Sequence, residues 1–154
     1  MPSGWLTTVA EQFSSDERLV ALSGPYVYYD LGWFTNFMVK IFYFFGWVVY
    51  LVNHRLLGGG GMLQGGNFIV RRDALEAIGG YDTSITFYGE DTDIARRIAT
   101  QGRVLWTFSL PMYTSGRRIQ AEGLFKTGYT YALNFITTLF WRKPHTTTYL
   151  DHRN

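Results

Sequence analysis

An α/β fold is the class this sequence predicts, and three observations lead to it. Short apolar runs closed by turn residues alternate with segments whose apolar residues recur at helical spacing. The chain has 154 residues, 47% of them hydrophobic, enough for one domain with its own core. Only 17% are charged, so the composition is not that of a disordered chain. No internal repeat is present. We therefore read residues 1–154 as a single α/β domain.

Taken in order, Trp5, Leu6, Val9, Ala10 and Phe13 fall on one helical face, and Ser14-Ser15-Asp16 ends that helix. Leu19-Val20-Ala21-Leu22 reads as a buried strand closed by Ser23-Gly24-Pro25. Tyr26 to Tyr29 reads as a second extended piece. Residues 33–52 are the compositional anomaly, since most of the chain's aromatic excess (18% overall) crowds there. The uninterrupted apolar part, Ile41 to Val52, would be roughly 18 Å long as a helix, short of a bilayer core of about 30 Å. Reaching back to Trp33 would bury Asn36 and Lys40, the lysine at a cost of about 2.5–3.5 kcal/mol near the centre. A span would also put the Leu19–Leu22 strand and the later motifs on opposite sides of the bilayer. Two readings stand side by side: an interfacial or re-entrant membrane-proximal helix, or a helix packed on a partner.

Leu57 to Gly61 is a flexible break. Phe68-Ile69-Val70 reads as a strand leading to a short helix with Asp73 as N-cap and Glu76 three residues on, stopped by Gly79-Gly80. A further helix is expected from about Glu90 to Gln101, with Ile94, Ala95 and Ile98 facing inward and Gly102 just past its end. Arg103 to Phe108 and Met112 to Thr114 read as strands. Leu124 to Phe140 reads as a helix with Phe125, Tyr129, Leu133, Ile136 and Phe140 on one face.

Several function classes fall away. A formal charge of +2 is too small a bias to suggest nucleic acid. Cysteine is absent, which removes disulfides, thiolate zinc sites and cysteine nucleophiles. His54, His145 and His152 show no metal-ligand spacing. The N-terminus lacks the basic and apolar regions of a signal peptide, so a cytoplasmic location is expected. The glycines at 58–66 are followed by no Lys-Ser or Lys-Thr and form no G-x-G-x-x-G, so no phosphate loop is predicted. They leave open a plain turn, or bare N–H groups at Gly65-Gly66-Asn67 that a ligand could approach.

The acidic run Glu90-Asp91-Thr92-Asp93 admits two readings. Acids at a helix start are stabilised by the helix dipole, each by about 0.3–1 kcal/mol, and need no further reason. Alternatively one carboxylate is a general base aimed at an acceptor hydroxyl. Four dibasic pairs, Arg71-Arg72, Arg96-Arg97, Arg117-Arg118 and Arg142-Lys143, suit solvated faces. The pair in Ser115-Gly116-Arg117-Arg118 follows a strand and could clamp a diphosphate.

Ordered blocks carry a resemblance. Gly66 through Leu75, then Ile78-Gly79-Gly80-Tyr81-Asp82, then Gly89 through Arg97 with Gly102, resemble bacterial family 2 glycosyltransferases. Pro2-x-x-Trp5-Leu6 looks like the stretch that follows that family's metal-binding Asp-x-Asp. Ser115–Arg118 and the tail Tyr149–Arg153 match its less specific C-terminal pieces, so the resemblance covers nearly the whole chain. It implies a partial GT-A fold with a mixed sheet flanked by helices, a nucleotide-sugar donor, a divalent metal (Mg or Mn), and single-displacement transfer with inversion to a glycan, lipid-linked or cell-envelope acceptor. By the same resemblance Asp91 would be the base, and Glu90 would bind the acceptor or order the loop. Gly65, Gly66 and Asn67 would line the sugar and acceptor pocket, and Arg117 or Arg118 would approach the diphosphate.

The family's donor half, with its Asp-x-Asp, would precede Pro2. Asp91-Thr92-Asp93 has those letters but stands where the base belongs, so metal ligands are expected outside this sequence. No Gln-x-x-Arg-Trp occurs, which favours transfer of one sugar over processive synthesis. The chain thus reads as the acceptor-side half of a glycosyltransferase, peripheral to the inner face of the cytoplasmic membrane. The alternative is a truncated, non-catalytic remnant, or an acceptor- and membrane-binding module.

Overall fold

Leu19–Ser23 (β1) is the strand on which the rest is assembled, and all five of its residues are buried. The computed structural model describes residues 1–56, 61–85, 89–141 and 145–146. Gly58 to Gly60, Arg142-Lys143 and the tail Tyr149–Arg153 lie outside the described residues, as do the side chains of His54 and Phe140.

β1 pairs antiparallel with Phe68–Val70 (β3) and parallel with Arg103–Trp106 (β4), giving a mixed sheet in the order β3-β1-β4. A register irregularity between Leu19 and Ala21 interrupts strict alternation. Leu19 and Leu22 consequently face one core, with Trp5, Val9 and Phe13 of the helix Trp5–Ser15 (α1). Val20 and Ala21 face another, with Ala74 of Arg72–Ala77 (α3) and Ile94, Ala95 and Ile98 of Glu90–Ile98 (α4). Helices therefore cover both faces of the sheet. This is the expected α/β class, a mixed sheet flanked by helices, consistent with a partial GT-A fold.

Local details differ from expectation for physical reasons. Leu6 is exposed, because α1 covers the sheet only with Trp5, Val9 and Phe13. α3 begins one residue before Asp73, so Asp73 sits in the first turn and Arg71 occupies the cap without a side-chain hydrogen bond. Gly79 and Gly80 end the helix as expected, their N–H groups donating to Glu76 O and Leu75 O. α4 stops at Ile98 rather than Gln101. Gly102 is required by crowding: a Cβ there would stand 2.4 Å from Arg18 O and 2.6 Å from Val20 Cγ1.

Tyr26–Tyr28 (β2) does not join this sheet. It pairs in parallel with Met112–Thr114 (β5) as a separate two-stranded ribbon. Against it lies the long helix Trp33–Leu56 (α2), fastened along its inner stripe at three points. The Asn36 Nδ2 donates to Tyr28 O and Leu31 O, the Tyr43 hydroxyl donates to Gln64 Oε1, and the Tyr50 hydroxyl donates to Val104 O. Those points span about 21 Å of helix, so α2 lies along the body of the protein. By length and composition its Trp33–Val52 stretch could cross a membrane, with mean hydropathy 1.5.

The opposite half of α2 is apolar and exposed. Trp33, Phe34, Phe37, Phe42, Phe44, Phe45, Val48, Val49 and Val52 all lie there. The last helix, Leu124–Trp141 (α6), is preceded by Arg117–Glu122 (α5) and is inverted in the same sense. The apolar stripe read from its sequence points outward at Phe125, Tyr129 and Ile136, while Thr127, Asn134 and Thr138 are buried. Phe42 and Gly128 bring the two helices together.

Candidate active site at the end of the central strand

The parallel strands β1 and β4 run side by side to Ser23 and Trp106, and ligand sites in α/β sheets favour such carboxyl ends. Gln64 to Asn67 forms a turn there, closed by Asn67 N–H donating to Gln64 O at 2.9 Å. Gly66 has φ +80° and Gly65 has no positive φ, which is the type II pattern with glycine at its third position. Ser23 suspends the turn from β1: its Oγ donates to Asn67 O and accepts from Gln64 N–H, both at 2.8 Å.

The turn delivers a backbone donor to Asp91. Gly65 N–H donates to Asp91 Oδ2 at 3.0 Å, and Thr92 N–H donates to Oδ1 at 2.8 Å. A Cβ on Gly65 would stand 3.2 Å from Oδ2, so a side chain there would crowd the carboxylate. Burial pushes the Asp91 carboxyl above the ordinary carboxylate range, against the opposing pull of these hydrogen bonds. Glu90 beside it is exposed, and its carboxyl is raised by partial burial and then by the Asp91 charge.

Gly89, with φ +86°, caps the start of helix α4. A Cβ there would meet Thr138 Oγ1 at 2.5 Å, so α6 closes directly over the helix start. Thr138 is 3% exposed, and its hydroxyl has no hydrogen-bond partner among the described residues. Asp93 takes a different part. Its Oδ1 accepts from Arg96 Nη2 at 2.8 Å and its Oδ2 from Arg97 Nε at 2.6 Å. Arg97 Nη1 then donates to Ile78 O and Gly80 O, tying α4 to the turn that ends α3. The pair Arg96-Arg97 is thus a brace rather than a solvated face.

With both Asp93 oxygens engaged by arginine, Asp91-Thr92-Asp93 does not fit a divalent metal. Among the described residues no group of three or more His, Asp or Glu side chains could hold one.

The structure brings Asp91, Glu90, Gly65 and Gly66 together, and it places Asn67 underneath them. Asn67 is 1% exposed, and its amide is consumed by the fold. Its Nδ2 donates to Gly24 O (3.0 Å), Leu110 O (2.9 Å) and Pro25 O (3.4 Å), while its Oδ1 accepts from Trp5 Nε1 (3.3 Å). The expectation that Asn67 lines the pocket is corrected: its side chain is scaffold.

Arg118 lies on the α5–α6 side, with Nε donating to Glu122 Oε1 at 3.0 Å and its guanidinium over the Tyr131 ring. Arg117 is exposed at the start of α5. Of the other dibasic pairs, Arg71 donates to Leu19 O and Phe13 O, and Arg72 pairs with Glu76 at the surface.

Three contributors escaped sequence reasoning. Asp30 holds the Ser115-Gly116 loop, accepting from Ser115 Oγ at 2.5 Å and Gly116 N–H at 2.6 Å. Those bonds, the Ser115 one foremost, lower its carboxyl below the ordinary range. Tyr26 donates through its hydroxyl to Gly65 O. Tyr43 accepts from Tyr26 N–H and donates to Gln64 Oε1. All three lie far from the turn and loop in sequence and match no motif.

Against known proteins, the model of the family described as Glycosyl transferase family group 2 matches residues 1–144. No curated protein and no solved structure matches the chain.

Proposed function

We propose, for a chain that belongs to glycosyl transferase family group 2, that Asp91 is the general base of sugar transfer from a nucleotide-sugar donor to a glycan or lipid-linked acceptor. The observation that supports this reading is the held carboxylate: Asp91 sits at a helix start, fixed by Gly65 N–H, with burial raising its proton affinity. A base with an elevated pKa is a better proton acceptor. In the step, the Asp91 carboxylate takes the acceptor hydroxyl proton and that oxygen attacks the anomeric carbon. The bond from that carbon to the diphosphate oxygen breaks, and the nucleoside diphosphate leaves from the opposite face, which inverts the centre. Glu90, exposed beside the base, contacts the acceptor. Arg117, exposed at the loop after β5, is the better placed of the two arginines to meet the diphosphate, because Arg118 is paired with Glu122.

A divalent metal is common in the family and would supply charge neutralisation at the diphosphate. Nothing in Asp91-Thr92-Asp93 suits it, so no step above passes through one.

A membrane partner fits the outward faces of α2 and α6. Neither helix contains an acidic residue, and Lys40 and Lys126 are exposed on them, a charge pattern suited to an anionic lipid surface. Because α2 is fastened to the body at Asn36, Tyr43 and Tyr50, the protein would rest on the cytoplasmic leaflet without crossing it. Substituting Asp91→Asn in the active enzyme should lower turnover by about 10²–10⁴ and leave donor binding intact. Turnover close to that of wild type would assign the base to another residue.

A further inference from the structure

We infer that Tyr26 is a positioning residue for Asp91, acting through the Gln64–Asn67 turn. The inference rests on the reading of Asp91 as base for its functional meaning, but its geometry stands alone. A type II turn differs from a type I turn chiefly in the orientation of its middle peptide, here Gly65–Gly66. The Tyr26 hydroxyl donates to the carbonyl of that peptide, Gly65 O. It also fills the space above Gly66, standing 2.3 Å from where a Cβ would be. Tyr26 therefore fixes the one peptide that decides the turn type, and the residue it fixes is the one whose N–H reaches Asp91 Oδ2.

The phenol is itself held. Its backbone N–H donates to the Tyr43 hydroxyl, which donates onward to Gln64 Oε1, the first residue of the same turn. Two tyrosines, one on the β2 ribbon and one on α2, thus grip the turn at successive residues. Burial, with lesser contributions from Tyr131 and Asp91, pushes the Tyr26 hydroxyl up to about 12, so it remains a donor across the working pH range. Among the described residues, the titratable groups facing Asp91 are Glu90 on its own helix, Tyr26 on β2 and, beyond Tyr26, Tyr131 on α6. From α6 the helix start meets Thr138, which does not titrate.

The test is a carbon and nitrogen NMR titration of the labelled chain, following Asp91 Cγ and the Gly65 amide in wild type and Tyr26→Phe. The Gly65 N–H bond favours the ionised carboxylate. Loosening the turn should therefore raise the Asp91 midpoint and speed exchange of the Gly65 amide with solvent. Tyr43→Phe, which releases Gln64, should move both in the same direction should Tyr26→Phe fail to fold. Tyr28→Phe should move neither. An Asp91 midpoint and a Gly65 amide that are unchanged in the folded Tyr26 or Tyr43 variant overturn the inference.

In the active enzyme, Tyr26→Phe should lower kcat about tenfold with KM little changed. If the NMR midpoint moves while kcat does not, Tyr26 still positions Asp91, and it is the assignment of Asp91 as base that fails.

Discussion

Replacing Asn67 by alanine separates a scaffold role from a pocket role. The substitution removes two short donors, to Gly24 O at 3.0 Å and Leu110 O at 2.9 Å, from a site that is 1% exposed. Each buried carbonyl left without a partner costs about 1–3 kcal/mol. Some of that is recovered by a water entering the polar space the amide vacates. The weaker bonds to Pro25 O and from Trp5 Nε1 add little. The expected loss is about 3 kcal/mol, a large share of the stability of a domain this size. At an m-value of roughly 2 kcal/mol/M, the urea midpoint would fall by about 1.5 M. Tryptophan fluorescence reports it, since Trp106 is buried in the core. A midpoint shift under about 0.3 M, accompanied by weakened acceptor binding, would refute the scaffold assignment and return Asn67 to the pocket.

Other outcomes follow from the same geometry. Gly66→Ala should destabilise the chain by about 1–2 kcal/mol from its φ of +80° alone, and it should displace Tyr26; circular dichroism melting of the chain measures the first, and the Gly65 amide shift the second. Asp91→Asn should be at least as stable as wild type at neutral pH. The raised folded pKa means the native state holds that proton more tightly, so the stability it contributes is present in acid and lost as pH rises through the raised value; a melting temperature that drops at neutral pH would count against burial as the cause. Asp30 is the opposite case. Its lowered carboxyl contributes above the ordinary carboxylate range and is lost as pH falls through the folded value, so the Ser115 and Gly116 amide signals should loosen only in acid. Phe37→Asp with Phe45→Asp should abolish flotation with anionic liposomes and leave the fold intact, both side chains being more than half exposed; wild-type protein that never floats would sink the membrane reading.

Much of the fold was legible because its signals are local. Leu19–Leu22 and Phe68–Val70 are short apolar runs between turn residues, and Ile94, Ala95 and Ile98 mark one helical face, which is buried as expected. Gly79-Gly80 announces a helix end wherever it occurs. What failed was whatever depends on the surroundings. Periodicity finds the apolar stripe of α6 but does not say what it faces, and the stripe at Phe125, Tyr129 and Ile136 turns outward while Thr127, Asn134 and Thr138 turn in. Tyr26–Tyr28 reads as a strand, yet nothing in it specifies pairing with β5 instead of β1.

In the site, the motif blocks located Asp91 and its turn. They gave no hint that Asn67 points away from them, because a side chain's direction is set by distant carbonyls at Gly24 and Leu110. The acidic run likewise hid a division of labour. Asp93 is spent on Arg96 and Arg97, and only Asp91 is held toward the turn.

The central claim, that Asp91 is the base, is tested most directly by the pH dependence of kcat/KM in the active enzyme, wild type against Asp91→Asn. The base works only when ionised, so activity should fall as pH drops through the Asp91 pKa. Burial places that acid limb above the ordinary carboxylate range. The account predicts such a limb in wild type and its disappearance from whatever residual activity Asp91→Asn retains, with a loss of about 10²–10⁴ in rate. A limb that persists unchanged in Asp91→Asn would assign the base to another residue and contradict the account.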